Sequence, residues 1–158
     1  LGAIDLGPAS LDRGSNVGGF SLVAKENPAN DSGTIDTVTV YFSANSGNFD
    51  VATCTEDGSN NITTTRDDET TAGGYAAGEH AISVSLNVVT GDYAGCYVQN
   101  SGSLERDLSG ADGYWYKSGD NIPCTAVAYS WATPRTISLY MTGETPAAAT
   151  FIPRVIVF

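Results

Sequence analysis

A chain of 158 residues is long enough for one domain to bury about 70% of its unfolded surface, so it needs no metal or disulfide staple to fold. Its 18 acidic residues against 7 basic ones give a net charge of −11, and a surface of that sign repels phosphate backbones and anionic membranes. No nucleic-acid or membrane partner is therefore expected, and no apolar run approaches the ~20 residues that cross a bilayer.

The first segment, LGAIDLGPASLDRGSNVGG (1–19), is Gly-rich and irregular, with Ile4, Leu6 and Leu11 as its apolar pieces. It reads as an N-terminal arm that docks on the domain or on a neighbour. The chain opens on Leu1 with neither an initiator Met nor a basic-then-apolar signal segment, and is expected to be processed or a piece of a longer polypeptide.

Residues 20–158 read as one β domain. After the short run FSLVAK (20–25), IDTVTVYF (35–42) alternates, with Val38, Val40 and Phe42 on one face and Thr37, Thr39 and Tyr41 on the other. NFDVATCT (48–55) and NITTTR (61–66) are weaker strands. HAISVSLNVV (80–89) sets Ile82, Val84, Leu86 and Val88 against Ser83, Ser85 and Asn87. DYAGCYVQ (92–99) and GYWYK (113–117) follow, then TAVAYSW (125–131), which aligns Val127, Tyr129 and Trp131. TISLYMT (136–142) aligns Ile137, Leu139 and Met141. Turn formers separate these runs: ANDSG (29–33), NSGN (45–48), EDGSNN (56–61), TGD (90–92) and NSG (100–102). No window of a dozen residues has helical apolar spacing, and 18 glycines disfavour long helices. About ten short strands predict an all-β fold, an antiparallel sandwich of jelly-roll-like form. Its core is expected to hold Val38, Val40, Phe42, Ile82, Val84, Leu86, Val127, Tyr129, Ile137 and Leu139.

Catalytic chemistry has little to stand on. His80 is the only histidine, and it opens an ordinary alternating strand with no G-x-S-x-G elbow anywhere. Cysteine nucleophiles would need the same histidine. Cys54, Cys96 and Cys124 form no C-x-x-C pair, so a zinc site is not expected; one disulfide with a spare thiol and three buried thiols both remain open. A glycosidase needs two carboxyls roughly 5–9.5 Å apart. Glu105 and Asp107 share a strand face, with Glu69, Glu79 or Asp112 as conceivable partners, yet no spacing selects a pair. The chain is read as non-enzymatic, with no required cofactor. Calcium is a candidate ligand, because EDGSNN and RDDE (66–69) gather oxygens from Glu56, Asp57, Asp67 and Asp68 in turns.

The stretch SLERDLSGADGYWYKSGD (103–120) holds three consecutive aromatics. Alternation sends Trp115 to one face and Tyr114 and Tyr116 to the other. Exposed, these rings with Asp112 and Asp120 would form a glycan-stacking platform. Buried, Trp115 faces a core while the two phenols stay half wet, and Arg106 makes an ion-pair corner with Glu105 and Asp107.

IDTVTVYF, GDYAGCYV (91–98), LERDLSGADGYWYKSGD and RTISLYMTGE (135–144) together resemble small all-β domains of phage and metagenomic origin, over roughly residues 1–145. Such domains resemble the jelly-roll modules that decorate virions or serve as fibre and tail appendages. The resemblance implies a virion-surface or extracellular setting and transfers no catalytic residue. The expected function is a structural subunit of such an assembly; a carbohydrate-binding module or adhesin-like lectin domain, with surface glycans as partner, is the alternative.

At the other end Val155, Ile156, Val157 and Phe158 are four apolar residues in a row, preceded by Pro153 and Arg154. An apolar strip at a sheet edge invites pairing with another chain. A homo-oligomer or array is expected, contacting itself and other assembly proteins through Ile4, Leu6 and Leu11 or through Val155–Phe158.

Overall fold

The computed structural model describes residues 1–149 and contains strands but no helix among them. Fourteen strands follow in order: β1 (Ala3–Leu6), β2 (Ser15–Val17), β3 (Phe20–Ala24), β4 (Gly33–Phe42), β5 (Phe49–Glu56), β6 (Asn61–Thr70), β7 (Gly78–Val88), β8 (Tyr93–Val98), β9 (Leu104–Asp107), β10 (Tyr114–Ser118), β11 (Val127–Ala128), β12 (Ser130–Ala132), β13 (Thr136–Ile137) and β14 (Leu139–Glu144). They form two antiparallel sheets. The first runs β1-β14-β4-β9-β13, with β7 on β4 and β2 on β9; the second runs β11-β6-β5-β8-β3-β10-β12.

The alternation read from sequence locates the main core. Val38, Val40, Phe42, Leu86, Ile137 and Leu139 are buried between the two sheets, with Ile82 at the margin and Val84 half-buried. Facing them from the second sheet are Leu22, Phe49, Val51, Cys96, Val98 and Tyr114. Phe42 and Phe49 meet edge-to-face at 5.2 Å, and Tyr75 stacks on Phe42 at 6.0 Å, a favoured aromatic geometry.

The second sheet also has a core on its other face. Its first and last strands, β11 and β12, are separated in sequence only by Tyr129, so the sheet curls until its two edges meet. The result is nearly a barrel. Val23, Ala52, Cys54, Ile62, Trp115 and Tyr129 fill it, and Val127 packs half-buried against them. This explains why β5 is buried along six consecutive residues: Phe49 and Val51 face the sandwich while Ala52 and Cys54 face the barrel. TAVAYSW is therefore two strands, but its alternation holds, with Val127, Tyr129 and Trp131 all on the barrel core. All three cysteines are free thiols, and burial pushes those of Cys54 and Cys96 up.

The N-terminal segment is not an arm apart from the domain. Ala3–Leu6 pairs with β14 and Ser15–Val17 with β9, which puts Ile4, Leu6 and Val17 in the sandwich core. Ile4 and Leu6 are thus spent inside their own chain and cannot anchor a neighbour; Leu11 remains 52% exposed. Val155, Ile156, Val157 and Phe158 lie outside the described residues.

Asp50 on β5 is 7% exposed, and its Oδ1 has no hydrogen-bond partner. Burial pushes its carboxyl above the ordinary range, and Asp120 and Asp68 add to the rise. A raised acid penalises the native state once pH passes the ordinary carboxylate range, and the penalty vanishes where both states are protonated. Asp50→Asn should therefore gain about 1 kcal/mol at pH 7 and nothing near pH 3. Urea unfolding at the two pH values checks this, and an equal gain at both would contradict it.

Candidate functional site

Strand β10 carries the aromatic run, and its two faces have different fates. Trp115 points into the barrel, 3% exposed, with its Nε1 donating to Asn60 Oδ1 at 2.9 Å. Tyr93 and Trp131 flank the indole at 5.1 and 4.9 Å between ring centroids. No ring face of Trp115 is open for a sugar to stack on. Tyr114 is likewise buried, on the sandwich side, while Tyr116 is half-buried beside Phe20 at 5.8 Å, edge-to-face. Asp112 and Asp120 are exposed at opposite ends of β10 and frame no common platform with Trp115. Asp112 N donates to Glu26, and Asp120 Oδ1 accepts from Ile122 N.

The expected ion-pair corner is rearranged. Arg13, from the loop between β1 and β2, takes the place foreseen for Arg106: its Nη1 donates to Asp107 Oδ2 at 2.8 Å and its backbone N to Glu105 Oε2 at 3.0 Å. Its Nε donates to Ser138 Oγ at 2.8 Å. Arg13 holds the Asp107 carboxyl below its usual range. Glu105 and Asp107 sit on the outer face of β9, opposite to Leu104, and clamp the N-terminal segment to the sheet.

Arg106 follows Leu104 on the inner face, at one end of the space between the sheets. Its Nη1 donates to Tyr114 Oη at 3.0 Å across that space, and its Nε reaches Ser15 Oγ at 3.4 Å. The space there opens into a cleft of about 120 Å³ lined by Val17, Phe20, Arg106, Tyr114, Tyr116 and Arg135. Sequence reasoning missed both arginines as site residues. The signal was present: each extends an inward apolar row by one step, Leu104-x-Arg106 and Arg135-x-Ile137.

The remaining candidates hold the chain itself. Asp57 accepts from Ser59 N, Asn61 N and Asn61 Nδ2, and Glu56 from Asn60 N, closing the β5–β6 turn. Asp67 Oδ2 accepts from both nitrogens of Asn87, and Glu69 Oε2 from Ser85 N, so β6 caps the outer edge of β7 with carboxylates. Asp68 stands beside Asp67 and is exposed. No three His, Cys, Asp or Glu side chains gather as a metal site among the described residues, so Glu56, Asp57, Asp67 and Asp68 are not brought together. His80 Nε2 donates to Ala76 O, 2.8 Å away, and the imidazole packs on Tyr75 at 5.2 Å. Compared with protein-family models, curated proteins and solved structures, the chain matches none.

Proposed function

We propose that the protein is a non-enzymatic structural subunit of a virion surface or another extracellular assembly, of the decoration, fibre or tail-appendage kind. One observation carries this reading: the side chains best able to do chemistry are occupied in fastening the chain. Glu105 and Asp107 clamp the N-terminal segment, Asp92 holds Arg66 at 2.8 Å, Asp67 and Glu69 cap a sheet edge, and His80 binds a backbone carbonyl. A fold so cross-braced suits a part that bears load better than one that must open for substrate. Its acidic exterior keeps it soluble until a specific contact forms.

The contact we assign is the C-terminal strip Val155–Phe158, working with exposed Leu11. Light scattering of the intact chain should give a multiple of 16.4 kDa, and a chain ending at residue 154 should remain folded and fall to that single mass. A monomeric intact chain, or an oligomer that survives the deletion, contradicts the assignment. So does unfolding of the shortened chain, which would place the strip in the core.

A second reading, a glycan-binding module, is favoured by the Arg106–Tyr114–Tyr116–Arg135 cleft rather than by the indole. Neither reading requires calcium.

A further inference from the structure

Six of the seven basic residues fall within the described part of the chain, and all 18 acidic ones do. Arg13 and Arg66 each pair with a carboxylate; Lys25 lies over the Trp131 ring and Lys117 donates to Ala128 O, while Arg106 and Arg135 likewise form no ion pair with any of the 18. Neither arginine has a charged partner in a chain of net charge −11. They border the same cleft of about 120 Å³. Glu26 reaches the start of β13 but gives its two oxygens to Thr136 Oγ1 at 2.7 Å and Asp112 N at 3.1 Å.

Two arginines lining so small a cleft bring like charges to one site, and an anion bound between them would offset that repulsion. Arginine presents a planar fork of donors that fits a carboxylate in two parallel bonds. Tyr114 Oη and Ser15 Oγ fix the Arg106 guanidinium through Nη1 and Nε, and its Nη2 has no partner among the described residues.

The cleft does not end at the arginines. Phe20 and Tyr116 also line a second, wider cavity of about 320 Å³, whose other walls are Lys117, Ser118, Ala128 and Ser130. A ligand with its charge between the arginines would pass over the Phe20–Tyr116 ring pair and emerge among hydroxyls and an ammonium. Ring faces accept apolar C–H faces, and hydroxyl-lined walls accept hydroxyls. Few small molecules present a carboxylate, an apolar C–H face and several hydroxyls in that order; sugar acids do.

We propose that this paired cavity binds an acidic sugar, its carboxylate held by Arg106 and Arg135 and its ring packed against the edge-to-face Phe20–Tyr116 pair. The proposal rests on the glycan-binding reading and is independent of assembly. The strong net negative charge opposes such a ligand at long range, so recognition depends on close contact at the two arginines and not on steering.

Calorimetric titration of the intact protein with methyl glucuronide, methyl glucoside and sodium phosphate tests it. The glucuronide should bind saturably, with the glucoside and phosphate each at least tenfold weaker. Arg135→Met, which breaks no hydrogen bond of the described residues, should cost tenfold or more in glucuronide affinity; Lys25→Met, on the barrel exterior over Trp131, should cost nothing. Arg106→Met should match Arg135→Met, with unfolding curves recorded alongside because Tyr114 loses a partner. Equal affinity for glucuronide and glucoside, or indifference to Arg135→Met, overturns the site while leaving glycan binding intact. Phosphate binding as tightly as glucuronide overturns the sugar assignment. No saccharide binding at all overturns both the site and the glycan reading.

Discussion

Trp115→Ala should lower folding stability by about 4 kcal/mol, the middle of the range for emptying an aromatic site in a closed core. The indole is the largest side chain buried inside the barrel, it packs on Tyr93 and Trp131, and its Nε1 satisfies Asn60 Oδ1. Asn60 sits in the β5–β6 turn with φ of 64°, a left-handed backbone that this hydrogen bond helps to fix. Trp115→Phe keeps most of the apolar volume and loses the bond, so it should cost about 1–2 kcal/mol. Guanidinium unfolding curves measure both. A loss under about 1 kcal/mol for the alanine variant would mean the barrel does not depend on this residue. The same change is also a poor probe of ligand binding, since lost binding would report a weakened fold rather than a missing stacking partner.

Gly143→Ala should cost about 3 kcal/mol or more, for a reason of space rather than backbone freedom. A Cβ at this position would stand 1.9 Å from Thr34 O and 2.6 Å from Ile35 Cα. Both are backbone atoms of the neighbouring strand and cannot swing aside as a side chain could. Gly143 lies where the register of β14 against β4 shifts, and the two backbones approach closely there. The alanine variant should show a lower denaturation midpoint, whereas Gly110→Ala, with open space around it but φ of 78°, should lose only the smaller cost of a left-handed backbone. Equal losses at the two positions would contradict the close approach.

That register shift also marks where the sequence stopped being legible. Strict alternation through IDTVTVYF places Val38, Val40 and Phe42 inward, as found, but puts Ile35 outward with the threonines. Ile35 is fully buried because the register shifts between Ile35 and Thr37 return it to the core face. A bulge is a pairing property between strands, and periodicity within one strand cannot report it. Strand order is hidden for the same reason. TAVAYSW reads correctly as one-sided, yet nothing in it says that its halves close opposite edges of one sheet around Trp115. The first 19 residues dock on their own domain, one of the two alternatives read from the sequence, but as paired strands: the alternation of Ile4 with Leu6 is a strand signal too short to stand out among the glycines.

The candidate site was half legible. Alternation within GYWYK separated Trp115 from the two phenols, and the buried alternative for the indole is the arrangement present. The partners of Arg106 were not legible, because Glu105 and Asp107 are neighbours in sequence but stand on the other face of β9, where Arg13 arrives from 92 residues away in the chain. The cleft itself needs three separate segments, β2–β3, β9–β10 and the residue before β13, to meet at one end of the sandwich.

Strand β10 turns its indole into a closed barrel core and leaves its phenols to the arginine-lined cleft. Acrylamide quenching of tryptophan fluorescence in a Trp131→Phe variant, where Trp115 is the only indole left, tests this most directly. Emission should be blue-shifted and quenching several-fold weaker than for a free indole. Red-shifted emission with quenching as strong as that of the unfolded chain would place Trp115 on the surface and contradict it.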